Sequence, residues 1–384
     1  MNYGVDRALG IVVAVGDRAF SVRAGADAGL LDAIEGLSRE ALTAHSLNAV
    51  LAAGRASWTA LHERVDEAVR RSPGDLFVDV QDLNLRMPFE VADYVDFYSS
   101  IHHATNLGRL LRPGTEPLMA NWRHLPVSYH GRAGTVVVTG TPVRRPKGLI
   151  AGGDGAPAYG PTARLDIELE VGVVVGGHTD VGEPMTIDQA GEHIFGVVLL
   201  NDWSARDIQA YEYQPLGPHL GKSFATSISG WVTPIDDLRP FLVAGPPQEP
   251  LPSAHLRTDE RWAIDVDLRV LLESRTMRQA GVPPYEISAT NFAGLYWTIA
   301  QQLAHLTSNG AALRPGDLYA SGTVSGPTRG TEGSLIELSW GGQEPLALPD
   351  GTTRTFLQDG DRVILEGSAG TRVRLGSVEG EILQ

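Results

Sequence analysis

Residues 165–175 read LDIELEVGVVV. On an extended chain Leu165, Ile167, Leu169, Val171, Val173 and Val175 fall on one side, and Asp166, Glu168 and Glu170 on the other. That period of two predicts a β-strand with an apolar face turned to a core. Residues 194–200, IFGVVLL, are apolar throughout and predict a buried strand ending at Asn201-Asp202. TVVVT (135–139), IDVDLRVLLE (264–273), LIELSW (335–340) and RVILEG (362–367) are also strand-like, rich in β-branched or alternating residues. Near the N-terminus GIVVAVGDRAFSV (10–22) predicts a hairpin around Gly16-Asp17. Two stretches carry a helical stripe. In 57–71 it is Trp58, Leu61, Val65 and Val69, with Ser57 as the cap. In about 291–309 it is Leu295, Ile299, Leu303 and Leu306, with Asn291 as cap and Gly310 as stop. Helices do not alternate with strands, so the expected class is β-rich α+β, not a doubly wound sheet. The pattern weakens through SPGD and MPFE between residues 72 and 90, which predicts a small N-terminal β-rich domain (1–90) and a larger domain (91–384).

Composition narrows the chemistry. A chain of 384 residues can bury a sizeable core without staples. It has no cysteine, which excludes disulfides, thiolate catalysis and thiolate metal sites. The N-terminus, MNYGVDRALG, lacks the basic and apolar regions of a signal peptide, so a cytoplasmic protein is expected. Apolar runs such as GVVVGG fall far short of the ~20 residues of a membrane span. The net charge of −15 is spread along the chain and speaks for solubility and against nucleic acid. The 44 glycines and 24 prolines fit many tight turns. One Gly/Pro-rich spacer, residues 146–161, reads as a surface loop, with a mobile lid as the alternative.

Chemistry-bearing residues concentrate in three segments. YVDFYSSIHHATNLGRLLRPGTEPLMANWRHLPVSYHG (94–131) brings Asp96, Tyr98, His102, His103, Arg109, Arg112 and Tyr129 into a turn-rich stretch. In LDIELE, Glu168 and Glu170 lie on one strand face ~6–7 Å apart, close enough for one cation. The plain alternative is a half-buried strand with a solvated outer face. The third segment, NDWSARDIQAYEY (201–213), sets Asp202 at the end of a buried strand, before a capping-box-like helix start at Ser204. On that helix Arg206, Gln209 and Tyr213 share a face. Carboxylates alone select hard ions, Mg²⁺ or Ca²⁺. Four carboxylates around one divalent ion leave a charge of −2, so an anionic substrate needs nearby cations, for which Lys222, Arg206 and Arg112 are candidates. Adjacent His102 and His103 cannot face the same way, so at most one works on a given site. A neutral imidazole there can take a proton from water if an acceptor orients its other nitrogen. LGPHLGKS has one residue too few between its glycines for a phosphate-binding loop. No G-x-S-x-G elbow, H-E-x-x-H helix or dinucleotide fingerprint is present.

The strings DFYSS, HATN, NWRHLPVSYHGR, GTPVRRPKG, LDIELE, NDWSARDIQ, LGKSF, LRPGDL, SGTVSGP and ELSW occur in this order from about residue 91 onward. In this the chain resembles the fumarylacetoacetase family. The N-terminal 90 residues match it more weakly, through YGV and the GIVVAVGD hairpin. The resemblance implies a small N-terminal Src-homology-type β-barrel in front of a mixed β-roll catalytic domain. It implies metal-dependent hydrolysis of a carbon–carbon bond in a 1,3-diketo acid, giving fumarate and acetoacetate, the last step of tyrosine catabolism. An activated water would attack the carbonyl while the metal eases departure of an enolate. By the same resemblance Asp96, Glu168, Glu170 and Asp202 match metal ligands, and Lys222 and Thr226 match residues near a second metal. His103 matches the general base and Glu337 the carboxylate that orients it. Arg206, Gln209 and Lys222 match stabilisers of developing charge, and Tyr98, Arg112, Tyr129, Gln209, Tyr213 and Thr323 match substrate contacts. His102 stands where the family's animal members carry Gln. A homodimer is implied. The nearest rivals are an acylpyruvate hydrolase or β-keto acid decarboxylase of the wider superfamily. A calcium-stabilised binder of acidic metabolites is the rival from another class.

Overall fold

The computed structural model describes residues 1–32, 34–71, 74–153 and 156–384. Its frame is a twelve-stranded sheet. Strands Phe77–Asp79, Arg18–Ser21, Gly10–Val15 and Asn2–Asp6 pair in that order. The path continues through Trp231–Pro234, Ile194–Asp202, Leu169–Val175, Leu318–Ala320, Tyr94–Phe97 and Ser128–His130. Strand Thr226–Ile228 branches from Ile194–Asp202 and carries Val136–Val138 parallel to it. A second sheet orders Tyr285–Asn291, Asp267–Glu273, Arg362–Ala369, Val373–Leu383 and Val143–Arg144. The result is the expected sheet-rich α+β class.

The two core strands are apolar because both of their faces are covered. Val171, Val173, Val175, Val197 and Leu199 share one core with Leu268, Val270, Leu272, Val363 and Leu365 of the five-stranded sheet. The alternating residues Val174, Val198 and Leu200 join a second core with Val5, Val13, Phe20, Trp58 and Leu61. Each such side chain, fully buried, contributes about 1.5–3 kcal/mol. The N-terminal hairpin forms as expected, with Val12 opposite Ser21. Its strands join the large sheet through Tyr3 opposite Val232, an open path, and no closed barrel is found among the described residues. The expected boundary near 72–90 includes Ser72 and Pro73, which lie outside the described residues.

Local expectations fare unevenly. The first long helix spans Arg55–Arg71, so Ser57 lies inside it and its hydroxyl donates to Glu35 O and Ala53 O. The expected 291–309 helix is shorter, Ile299–Thr307, capped by Thr298 with Gln301 in a capping box. Asn291 instead accepts from Ala293 N at the start of a single turn. LIELSW is not a strand: Leu335–Leu338 form one helical turn. In 165–175 pairing breaks between Leu165–Asp166 and Leu169–Val175, so the alternation does not run straight through. Asp166, expected on the polar face, is fully buried. Ser204 does not cap the next helix; Ala205 precedes Arg206–Glu212 without a side-chain cap, and Ser204 donates to Asp202 O. The 146–161 spacer forms a hairpin, Lys147–Ala151 against Pro157–Pro161. Asp154 and Gly155 at its centre lie outside the described residues.

Candidate active site

Sheet register gathers the acidic residues. Asp96 sits opposite Tyr129 on one side and Ala320 on the other. Asp202 ends its strand opposite Thr226. Glu170 lies in the adjoining strand Leu169–Val175, and Glu168 just precedes it. One carboxylate oxygen each of Asp96, Glu168 and Glu170 lies within 4.8 Å of the others, and all three side chains are buried. Gly322 adopts φ +77° beside them, and a Cβ there would sit 2.3 Å from Phe97 O. Its N–H donates to Glu170 Oε2 at 3.2 Å.

Asp96 Oδ1 and Glu170 Oε1 are buried with no hydrogen-bond partner. Burial first, then the neighbouring charge of Asp202, pushes the Asp96 carboxyl well above the usual range. Burial, then Asp96 and Glu168, does the same to Glu170. Orphaned, mutually repelling oxygens of this kind are costly unless a cation compensates them. The all-oxygen donor set therefore fits a hard divalent ion. Asp202 stands next to the trio. Its Oδ1 accepts from Thr226 Oγ1 at 2.8 Å, and its Oδ2 from Lys222 Nζ at 3.0 Å and Tyr129 Oη at 2.8 Å. The same Tyr129 hydroxyl lies 3.0 Å from Asp96 Oδ2, so it bridges the two acids. Lys222 also pairs closely with Glu168 Oε2. Burial alone would raise Glu168, but Lys222, Arg206 and His103 together hold it far below the ordinary range.

Helix Ile101–Leu111 supplies the imidazole. Ser100 caps it by accepting from His103 N at 3.2 Å. His103 Nδ1 lies 2.6 Å from Glu337 Oε2. That oxygen also accepts from Ser325 at 2.9 Å and Ser334 at 2.7 Å, and Oε1 accepts from Asn106 at 3.0 Å. Burial opposes ionisation of Glu337, yet His103, Asn106 and Ser334 bring its pKa below the usual value. An ionised Glu337 assigns the ring proton to Nδ1 and leaves Nε2 as an acceptor. Nε2 lies 3.8 Å from Glu168 Oε1, and His103 lines a cavity of about 300 Å³. Tyr98 packs edge-on against the ring, with centroids 5.3 Å apart. His102 turns away into a separate cavity with Asp267 and Arg269.

The cavity wall contains Asp96, Tyr98, His103, Arg112, Tyr129, Glu168, Arg206, Gln209, Tyr213, Lys222 and Thr323. Glu337 stands behind His103. Asp202 and Thr226 line a smaller neighbouring cavity of about 140 Å³. Arg206 Nη1 reaches Glu168 Oε1 at 2.7 Å and Gln209 Oε1 at 3.1 Å. Arg206 Nη2, Arg112 Nε and Thr323 Oγ1 are buried without partners. Arg112 is anchored by Nη2 to Pro117 O at 2.9 Å. Buried donors left unpaired in a cavity wall suit a ligand rich in oxygen. Sequence reasoning did not single out Asn106, Ser325 and Ser334, which hold Glu337, nor assign Asp166 its partners. Asn106 carries the one available signal, since it falls three residues after His103 on the same helical face.

Comparison with known proteins agrees with the geometry. A family model described as fumarylacetoacetate (FAA) hydrolase C-terminal matches residues 94–382. Fumarylacetoacetase of Homo sapiens is 47% identical over 352 residues, covering 88% of this chain and 83% of that protein. Fumarylacetoacetase of Arabidopsis thaliana is 41% identical over 388 residues, covering 97% and 90%. Among solved structures, a fumarylacetoacetate hydrolase from Exiguobacterium antarcticum superposes with TM-score 0.56 at 16% identity, covering 100% of this chain and 99% of that one. At such identity the likeness concerns the fold alone.

Proposed function

The chain belongs to the fumarylacetoacetate hydrolase family, and on that premise we propose that it cleaves fumarylacetoacetate with water to fumarate and acetoacetate. The observation that carries this reading is the buried His103–Glu337 pair, with Nε2 turned to a cavity beside the carboxylate trio. Asp96, Glu168 and Glu170 would hold the divalent ion, with Asp202 as the adjoining ligand and Lys222 and Thr226 beside it. When bound, Mg²⁺ or Ca²⁺ supplies Lewis-acid polarisation to the diketone oxygens.

The chain's own residues do the rest. Glu337 fixes the tautomer of His103, and Nε2 takes a proton from water as the oxygen adds to the substrate carbonyl. Collapse of the tetrahedral adduct breaks the carbon–carbon bond. The electron pair leaves with the acetoacetate carbon, which receives a proton. Arg206, Gln209 and Lys222 stabilise negative charge developing on oxygen, a kind of contact often worth ~3–4 kcal/mol. Arg112, with a free Nε, grips a substrate carboxylate, and Tyr98, Tyr129, Tyr213 and Thr323 position the remainder. A decarboxylase needs no such oriented base, so the dyad favours hydrolysis.

The same reading makes the protein a cytoplasmic homodimer of tyrosine and phenylalanine catabolism. Residues 1–90 would be a Src-homology-type unit in front of a β-roll catalytic domain of 91–384. Supporting the first unit is the consecutive pairing of its four strands. Among the described residues no helix is long and apolar enough to cross a membrane. The test is incubation of purified protein, with Mg²⁺ or Ca²⁺, with fumarylacetoacetate and a simple acylpyruvate side by side. Fumarate and acetoacetate from the first, with faster turnover, support the reading. Turnover of the acylpyruvate alone refutes it.

A further inference from the structure

Asp166 is, like Glu337, an acid close to the site that neither lines the cavity nor belongs to the carboxylate trio. It is 0% exposed. Four donors converge on its two oxygens. Oδ1 accepts from Ile167 N and Leu335 N, each at 2.7 Å. Oδ2 accepts from Arg206 Nε at 2.7 Å and Ile336 N at 3.1 Å. Leu335 and Ile336 open the helical turn that carries Glu337. One carboxylate thus joins the arginine of the cavity wall to the turn that orients His103.

We propose that Asp166 is a positioning residue that aims Arg206, and that it rests on the hydrolase reading above. A guanidinium has five N–H donors in a rigid plane. Gripping the Nε edge fixes that plane. With Nη1 engaged by Glu168 and Gln209, Nη2 is the donor left over, buried and unpartnered in a side chain that lines the cavity. The backbone bonds from Leu335 and Ile336 tie this aim to the helical turn of Glu337, so donor and base keep one spacing. An oxyanion donor acts only at the right distance from where charge develops, so a small swing costs rate while leaving ground-state binding nearly intact. Asparagine is nearly isosteric but replaces one acceptor oxygen by an NH₂ donor, so it cannot accept all four bonds, and either the Arg206 pair or the backbone pair at Oδ1 meets a donor instead.

The experiment measures kcat, KM, thermal midpoint and bound metal for wild type, Asp166→Asn, Arg206→Gln and the double variant, with fumarylacetoacetate as substrate. For Asp166→Asn the expected result is a fall in kcat of about 10²-fold with KM within about threefold. In the Arg206→Gln background the same substitution should cost less than about tenfold, because the group it aims is gone. Equal fold losses in the two backgrounds overturn the proposal, as does an Asp166→Asn enzyme within threefold of wild type. Should Asp166→Asn not fold, Asp166→Glu is read instead. Its longer carboxylate should misplace Arg206 and lower kcat at least tenfold; near-wild-type turnover overturns the idea. Loss of the folded state in both variants assigns Asp166 to stability alone and equally overturns it. A wild type that leaves the substrate uncut refutes the hydrolase reading itself.

Discussion

Replacing Glu337 by Gln tests the base most directly. Glu337 is wholly buried, and its carboxylate meets four donors: His103 Nδ1, Ser325, Ser334 and Asn106. The amide is the same size, so the cavity and its wall should stay. What changes is proton placement. A glutamine NH₂ facing His103 makes Nδ1 an acceptor and moves the ring proton to Nε2, the nitrogen that must accept from water. If the carbonyl faces His103 instead, the tautomer survives but the charge that steadies a developing imidazolium is gone. The analogous change in a serine-protease triad costs about 10⁴-fold. Here a loss of about 10³–10⁴-fold in kcat is expected, equivalent to about 4–5.5 kcal/mol of barrier. Because Glu337 is outside the cavity wall, KM should remain within about threefold. Loss of the diketone chromophore at saturating substrate gives kcat, and a thermal melt checks the fold. The stability contribution has a definite sign. The folded-state pKa of Glu337 is depressed, so its ionised form stabilises the fold above the ordinary carboxylate range, and that contribution fades as pH falls through the lowered value. A folded Glu337→Gln enzyme within tenfold of wild type would refute the assignment of the base.

Other expectations are simpler to state. Glu170→Gln removes one of three closely set acids, so the metal-free protein should melt higher while the extra stability conferred by Mg²⁺ or Ca²⁺ shrinks; an undiminished metal-dependent shift argues against Glu170 as a ligand. Arg112→Gln should raise KM about 30–100-fold with kcat within about threefold, the signature of a lost carboxylate contact; a KM unchanged in steady-state kinetics places the carboxylate elsewhere. Asp317 is pushed up to about 6, chiefly by burial, and its Oδ1 has no hydrogen-bond partner, only the long ion pair to Arg314 Nε at 3.9 Å. With the folded pKa above the unfolded one, the folded state holds the extra proton between pH 4 and 6, so stability falls as pH rises through that window. Asp317→Asn should therefore be more stable than wild type above pH 6, by about 1–2 kcal/mol, with the gap closing toward pH 4 in denaturant titrations.

Periodicity, residue type and length determined much of this protein. The alternating segment 165–175 and the continuous apolar run 194–200 specify the central strands, because apolar side chains at strand period must be covered by a core and a strand covered on both faces stays apolar at every position. An acidic cluster able to hold a metal ion was legible too, since a chain without cysteine carries Asp96, Glu168 and Glu170 at or near strand ends, and the structure brings these three together. Local signals failed where tertiary contacts outweighed them. LIELSW looks like a strand, but backbone N–H groups at its start are bound by Asp166 from 170 residues away, which favours a helical turn. The polar face of 165–170 looks solvated, but the broken strand sends Asp166 inward and Glu168 and Glu170 toward Asp96. No local pattern announces that His103 meets Glu337, 234 positions on. The packing of helix Ile101–Leu111 against the turn Leu335–Leu338 decides that pairing. Hydrogen bonds and Coulomb forces depend on distance in space, which spacing along the chain does not encode beyond a turn or two.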